Sequence, residues 1–330
     1  MRRKVQIGAL GIAALAALML LLTYGRATLT GAQGDELVLE AGSATITVDG
    51  DNSDWEGIDG LSVTLAQPNY TNYPDWDAPG PLDPVESVVK VATDANNIYV
   101  LLEVPDDYDF DGPVPPGNHD LSPALGVMFR IEQPAGPHMG AGPDDFEAPL
   151  GMVDIWHWEL DCGAGVMSGT GVPGNGNDPD CNLDDEYATD PETREDDGKL
   201  GDNLSAQNSI SGVWEHTARA QGTGAAGTWI FEFSRPLQTG DPQDAQFAAG
   251  ATAYMALAYW DPDETAEGWT GTGHLQSADN GWIAVSLPGG LLHGDVDCDD
   301  DVDSVDALKV LRHVASLSVD LPLDCPQIGS

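Results

Sequence analysis

Between Gly34 and about Pro288 the chain is a succession of short apolar or alternating runs, each stopped by Gly, Pro, Asn or Asp. The runs are Ala44–Val48, Leu61–Ala66, Ser87–Thr93, Asn97–Val104, Ala124–Ile131, Val153–Leu160, Gly212–Ala220, Thr228–Ser234, Ala251–Trp260 and Trp282–Leu287. Each has strand length, and no amphipathic helical pattern separates them, so the pattern predicts an all-β fold of two packed antiparallel sheets. Asp94-Ala95-Asn96-Asn97 between two apolar runs predicts a hairpin turn. The aromatics Trp156, Trp158, Trp214, Trp229, Phe231, Phe233 and Trp260 recur on these runs and are candidates for the core. Side chains alternate along a strand, so Ile155, His157 and Glu159 face away from Trp156 and Trp158. Gln133 to Met152 and Pro179 to Asp202 lack the pattern and are expected to be loops, the second a solvated acidic one.

Two other patterns flank the sandwich. Ile7 to Leu22 carries no polar side chain, follows Arg2, Arg3 and Lys4, and precedes the small residues Thr30-Gly31-Ala32. A basic start, an apolar stretch and a small-residue cut site describe a secretory signal, with a retained N-terminal anchor as the alternative. The expectation is an exported protein, extracellular, periplasmic or cell-surface. Toward the other end, Val305, Leu308, Leu311 and Val314 recur on one face of a short amphipathic helix from Ser304 to Leu317. The expected division is 1–32 signal or anchor, 33–288 sandwich, and 289–330 a small terminal module.

Composition sharpens this picture. Gly (39) and Pro (23) suit many turns. Asp and Glu outnumber Lys and Arg 55 to 12, a net charge of −43. Nucleic-acid binding and docking on an anionic membrane are disfavoured, because both need clustered bases. Cys162, Cys181, Cys298 and Cys325 fit an oxidising compartment. Four cysteines allow three pairings; local pairing, 162 with 181 and 298 with 325, is the simplest. No nucleophile–base pair or paired carboxylate rises above the acidic background, so a stand-alone enzyme is not indicated. Asp107-Tyr108-Asp109-Phe110-Asp111-Gly112 alternates as calcium loops do, but Pro113 and Pro115 follow it and it reads better as a solvated turn.

Val48-Asp49-Gly50-Asp51, Asp54-Trp55 and Asn97-Ile98-Tyr99-Val100 resemble the opening of family-nine carbohydrate-binding-module-like sandwiches. Val153-Asp154-Ile155-Trp156-His157-Trp158 resembles the D-hydrophobic-W-H-W signature of the ethylbenzene dehydrogenase gamma-subunit haem-binding domain, as does Gly273-His274-Leu275-Gln276-Ser277 before Trp282. The resemblance covers roughly residues 40–288. It implies one non-covalent haem b in a sandwich pocket, with a loop Met and a Lys near the domain's end as axial ligands. Carried onto this chain, the Met is Met139, with Met152 in reserve. No lysine lies between Lys199 and Lys309, and His274 stands in the matching neighbourhood as a competent iron ligand. Glu159 stands where the motif usually has Lys. His157 is a further candidate for the pocket, and Lys90, Arg130 and Arg219 are candidate propionate partners.

Gly294 to Asp306 resembles the calcium loop of a type I dockerin repeat. Asp295, Asp297, Asp299, Asp303 and Asp306 fall at loop positions 1, 3, 5, 9 and 12, and Asp301 at position 7 offers its backbone carbonyl, a ligand set suited to Ca²⁺. Position 6 is Asp300 rather than Gly, and the second repeat of a dockerin is reduced to Leu321–Ser330. The sequence thus supports an exported haem b protein in electron transfer, partnered by oxidoreductase subunits. The alternatives are a carbohydrate-binding protein with a polysaccharide or cohesin-like partner, and a calcium-stabilised surface protein.

Overall fold

A computed structural model describes residues 37–68, 82–108, 123–142, 149–159, 182–190, 193–196, 209–261, 274–289, 296, 304–319 and 321. Fourteen strands are described: β1 (Leu37–Glu40), β2 (Gly42–Ser43), β3 (Leu61–Leu65), β4 (Val85–Thr93), β5 (Asn97–Tyr108), β6 (Ala124–Arg130), β7 (Val153–Glu159), β8 (Asn182–Ala188), β9 (Glu195–Asp196), β10 (Ser211–His216), β11 (Ala225–Pro236), β12 (Thr252–Trp260), β13 (Leu275–Gln276) and β14 (Ile283–Ser286). One helix, α1 (Ser304–Val314), follows. The first sheet runs β1-β14-β12-β6-β7-β8-β9, with β13 on β12; the second runs β10-β11-β5-β4-β2, with β3 on β4.

The periodicity of the sequence appears directly in the layers. Leu125, Val127 and Phe129 of β6, Trp156 and Trp158 of β7, and Met255, Leu257 and Tyr259 of β12 share one core cluster with Val100 and Leu102 of β5 and Trp229, Phe231 and Phe233 of β11. These are the alternate residues of each strand, so both sheets turn one apolar face inward. Asp94 closes the β4–β5 hairpin: its N–H donates to the Asn97 carbonyl at 3.0 Å, and its carboxylate accepts from Asn96 and Asn97.

Four expectations change. The sheets are not purely antiparallel, because β1 pairs with β14 and β2 with β4 in parallel. Ala44–Val48 joins no ladder; Ala44 donates to Thr93 O and the chain then runs on as an irregular segment. Asn182–Ala188 and Glu195–Asp196 are strands β8 and β9, not an acidic loop. Asp185 and Glu186 face Arg235 and Arg194, partners that composition alone does not reveal. Helix α1 is shorter than the run to Leu317, and its apolar face is exposed, Leu311 by 66 % and Val314 by 75 %. The cysteines Cys162, Cys181, Cys298 and Cys325 lie outside the described residues, as do Asp109 to Gly112. Among the described residues no helix is long and apolar enough to cross a membrane.

Candidate functional site

The outer face of the first sheet carries the other residues of the same strands. Register places Ala258, Gly126 and His157 in one cross-strand row, and Ala256, Met128 and Ile155 in the next. Gly and Ala at these positions leave room that larger side chains would fill; a Cβ on Gly126 would only meet Ala258 and Trp260 at ordinary contact distance. Over this floor lie the loop through Pro137, His138 and Met139, and the segment His274 to Ala278. Together they bound a half-open, mostly apolar slot. The slot is on the outside of one sheet rather than between the two.

The loop is held firmly. Gly136 and Gly140 exchange both backbone hydrogen bonds at 3.0 Å, and Ala141 donates to His138 O. Only glycine fits at these two positions: a Cβ on Gly136 would overlap the Ala141 carbonyl, and one on Gly140 the carbonyls of Gly151 and Thr189. Trp282 Nε1 donates to Ala135 O at 3.2 Å. Between the glycines Met139 has φ +50°, a left-handed conformation that is costly for a side chain with a Cβ. The opposite wall is fixed by β13 pairing with β12 and by Ser277, whose N–H donates to Leu257 O and whose Oγ accepts from Leu257 N, both at 2.9 Å.

Three imidazoles and a thioether therefore meet one space. His138 is 3 % exposed, His157 1 % and His274 9 %. Trp260 stacks on His274 with centroids 4.9 Å apart and lies 5.3 Å from His157. Burial, aided by the neighbouring His274, pushes the His138 imidazole down to about 4, so it is neutral at pH 7 and keeps a lone pair. The Asp279 carboxylate, 3.7 Å away and 39 % exposed, is too distant and solvated to offset that burial. Behind His157 stands Glu186 of β8, 3.5 Å from its Nδ1, and Arg194 lies 3.5 Å from the other oxygen. Burial alone would raise the Glu186 carboxyl, but the charges of Arg194 and His157 hold it below its ordinary value.

Of the residues singled out by sequence, Met139, His274 and His157 line this slot. Met152, Arg130 and Arg219 do not. Met152 serves through its backbone, donating to Glu132 Oε2 and accepting from Ile131. Arg130 shares the outer face but stacks on Tyr254, its guanidinium 3.6 Å from the ring centre. Arg219 belongs to the other sheet's flank, over Trp214 and 3.5 Å from Glu215. Lys90 donates to Trp55 O. The cation that does line the slot is Arg194, together with His138 and Trp260. Sequence reasoning missed Arg194 and Glu186 because both sit in the stretch that composition marks as acidic loop. His138 adjoins Met139, and that adjacency was the available signal.

A family model for ethylbenzene dehydrogenase matches residues 52–272, about two-thirds of the chain. The chain belongs to the ethylbenzene dehydrogenase family. The matched span of this family member contains every described wall of the slot except His274 to Ala278, which follows directly. No curated protein sequence matches the chain. Among solved structures it resembles a Bacteroides uniformis protein assigned as carbohydrate-binding, with 9 % identity over 77 % of this chain and 100 % of that one, TM-score 0.43. It also resembles a family-nine carbohydrate-binding module from Caldicellulosiruptor kristjanssonii solved with glucose, with 9 % identity over 76 % of this chain and 96 % of that one, TM-score 0.37.

A second buried polar cluster lies on the inner face of β7. Arg235 of β11 reaches across the core to Asp154 at 2.6 Å, Asp244 at 2.8 Å and Asp185 at 3.7 Å, all of them buried. Burial drives the Asp154 carboxyl well up despite Arg235, and raises Asp185 to about 6. None of Arg235, Asp154, Asp185 and Asp244 lines the slot.

Of the proposed calcium loop, Asp306 and Val296 are described. Asp306 is 2 % exposed and its Oδ1 accepts the Val296 N–H at 2.7 Å, at the start of α1. Asp295, Asp297, Asp299, Asp301 and Asp303 lie outside the described residues.

Proposed function

We propose that this family member is an exported haem b protein that passes electrons to an oxidoreductase partner, with the outer slot as its haem site. The observation that carries the reading is that Met139 and His274, 135 positions apart in the chain, line one apolar slot. The donor set fits the group: a thioether, imidazoles and apolar walls suit low-spin iron held for electron transfer rather than oxygen chemistry. The buried Trp260 Nε1 in the wall has no acceptor among the described residues, and a bound molecule would supply one. Met139 and His274 would ligate the iron, and Trp260, Ile155 and Met128 would line the site and keep water out. Haem supplies a one-electron couple, and the chain's task is to bind, orient and shield it.

The test is titration of the purified protein with Fe(III) protoporphyrin IX, followed at the Soret band. A saturable band, shifted or lost in Met139→Ala and in His274→Ala, is expected. A band untouched by both changes removes these ligands, and no band removes the haem reading. The carbohydrate-binding alternative draws on the opening motif. Its Trp55 is fully buried and donates to Glu232 Oε1 at 2.7 Å, so it offers no sugar platform; Trp76 and Trp269 lie outside the described residues. Saturable binding of a soluble cello-oligosaccharide without a Soret response would put that reading first.

For the terminal module the proposed ligand is Ca²⁺ on Asp295 to Asp306. The support is the ligand spacing and a buried Asp306 tied back to Val296. Calcium titration by calorimetry is expected to lose its signal in Asp295→Ala; equal affinity in both proteins overturns the assignment.

A further inference from the structure

We infer that the slot selects for planar ligands that carry a carboxylate, through Arg194, with Glu186 as the residue that positions it. This rests on the haem reading above and adds what decides which porphyrin is accepted. The chain's net charge of −43 makes its surface hostile to anions, so an anionic group must find a built-in cation or be repelled. Among the described residues that line the slot, Arg194 is the one permanent cation. Its side chain is 30 % exposed, which places it toward the solvent side of the slot, where an amphipathic molecule leaves its charged groups.

The guanidinium is aimed from behind. Glu186 is 4 % exposed and lies 3.5 Å from Arg194 Nε and 3.5 Å from His157 Nδ1, so one buried carboxylate sits between the slot's cation and its floor. Five N–H donors in a planar fork allow an arginine to serve two carboxylates at once. Sequence register makes Glu186 suited to this: it pairs with Ile155 across β7–β8, on the outer face and diagonal to His157. Arg130 and Arg219, by contrast, are held over Tyr254 and Trp214.

The experiment compares Fe(III) protoporphyrin IX with its dimethyl ester, identical in ring and iron but without charge at the rim. Soret titration of the wild-type protein is expected to show binding of the ester weakened about tenfold or more, the worth of one charge-assisted contact. Arg194→Gln should bring the two affinities together by weakening only the diacid, while Arg194→Lys keeps a preference. Glu186→Gln should reduce the preference less than Arg194→Gln and leave the axial-ligand spectrum in place. Equal affinity of the wild-type protein for both porphyrins overturns the inference while leaving the haem site standing. Binding of neither overturns both.

Discussion

The two faces of strand β7 make opposite use of buried charge. On the inner face Asp154 joins Asp185 and Asp244 around Arg235, which lies over the bulky Trp156 packed against Phe247. On the outer face His157 and Glu186 are nearly as removed from bulk water, Arg194 beside them is 30 % exposed, and the floor is Gly126, Ala256 and Ala258. Burial and shifted titration mark both clusters. The outer one, with small neighbours and a covering loop, lines the slot. Perturbed acidity therefore locates a functional site only when open volume accompanies it.

The comparison breaks most visibly if the inner cluster is not structural. Arg235→Met should cost about 3–5 kcal/mol, because it leaves carboxylates buried without their counter-charge. His274→Ala, lining the open slot, should cost clearly less in the haem-free protein. Urea midpoints of the two variants measure this, and similar losses would erase the distinction.

Acidity separates the faces further. Asp185, raised to about 6, binds its proton more tightly folded than unfolded, so its contribution is full below about pH 4 and is lost as pH rises through 6. His138, depressed to about 4 from 6.5, works the other way: the unfolded chain protonates first, and stability is lost as pH falls from 6.5 toward 4. In the parent protein the two slopes oppose each other. Asp185→Asn should leave a protein that weakens on acidification across that window, and His138→Gln one that strengthens. Urea unfolding at the two ends of the window checks both signs.

A smaller effect is expected at Met139. Its φ of +50° suits glycine, so Met139→Gly should stabilise the haem-free protein by about 1 kcal/mol while weakening the Soret response. A gain in both would show the thioether has no ligand role. Smallest of all, Arg219→Ala removes a half-exposed pair with Glu215 and should change stability by about 0.5 kcal/mol or less, with porphyrin affinity unchanged.

Much of this was legible before the fold was known. Period-two alternation places Trp156 and Trp158 opposite His157, and the strands β3 to β7, β10 to β12 and β14 follow the apolar runs closely. The runs failed where side chains do not advertise the ladder. Asn182–Ala188 is a strand although four of its seven residues are Asn, Asp or Glu, because Asp185 answers Arg235 from the inner face and Glu186 answers Arg194 from the outer. Those partners are 50 and 8 residues away in sequence, and pairing at such separations follows from topology, not local pattern. Arg130 and Arg219 show the converse: a cation beside a strand predicts proximity to a site, yet an aromatic neighbour claims each one first.

The first two strands have a mechanical consequence. β1 lies along β14 in one layer and, two residues later, β2 lies along β4 in the other, both in parallel. Tension arriving from residues before Leu37 and directed along β1 would strain the four-residue β1–β14 ladder side by side, as a lap joint is sheared, instead of opening it rung by rung as a zipper. A tether at that end would thus grip both layers of the molecule through its strongest loading direction.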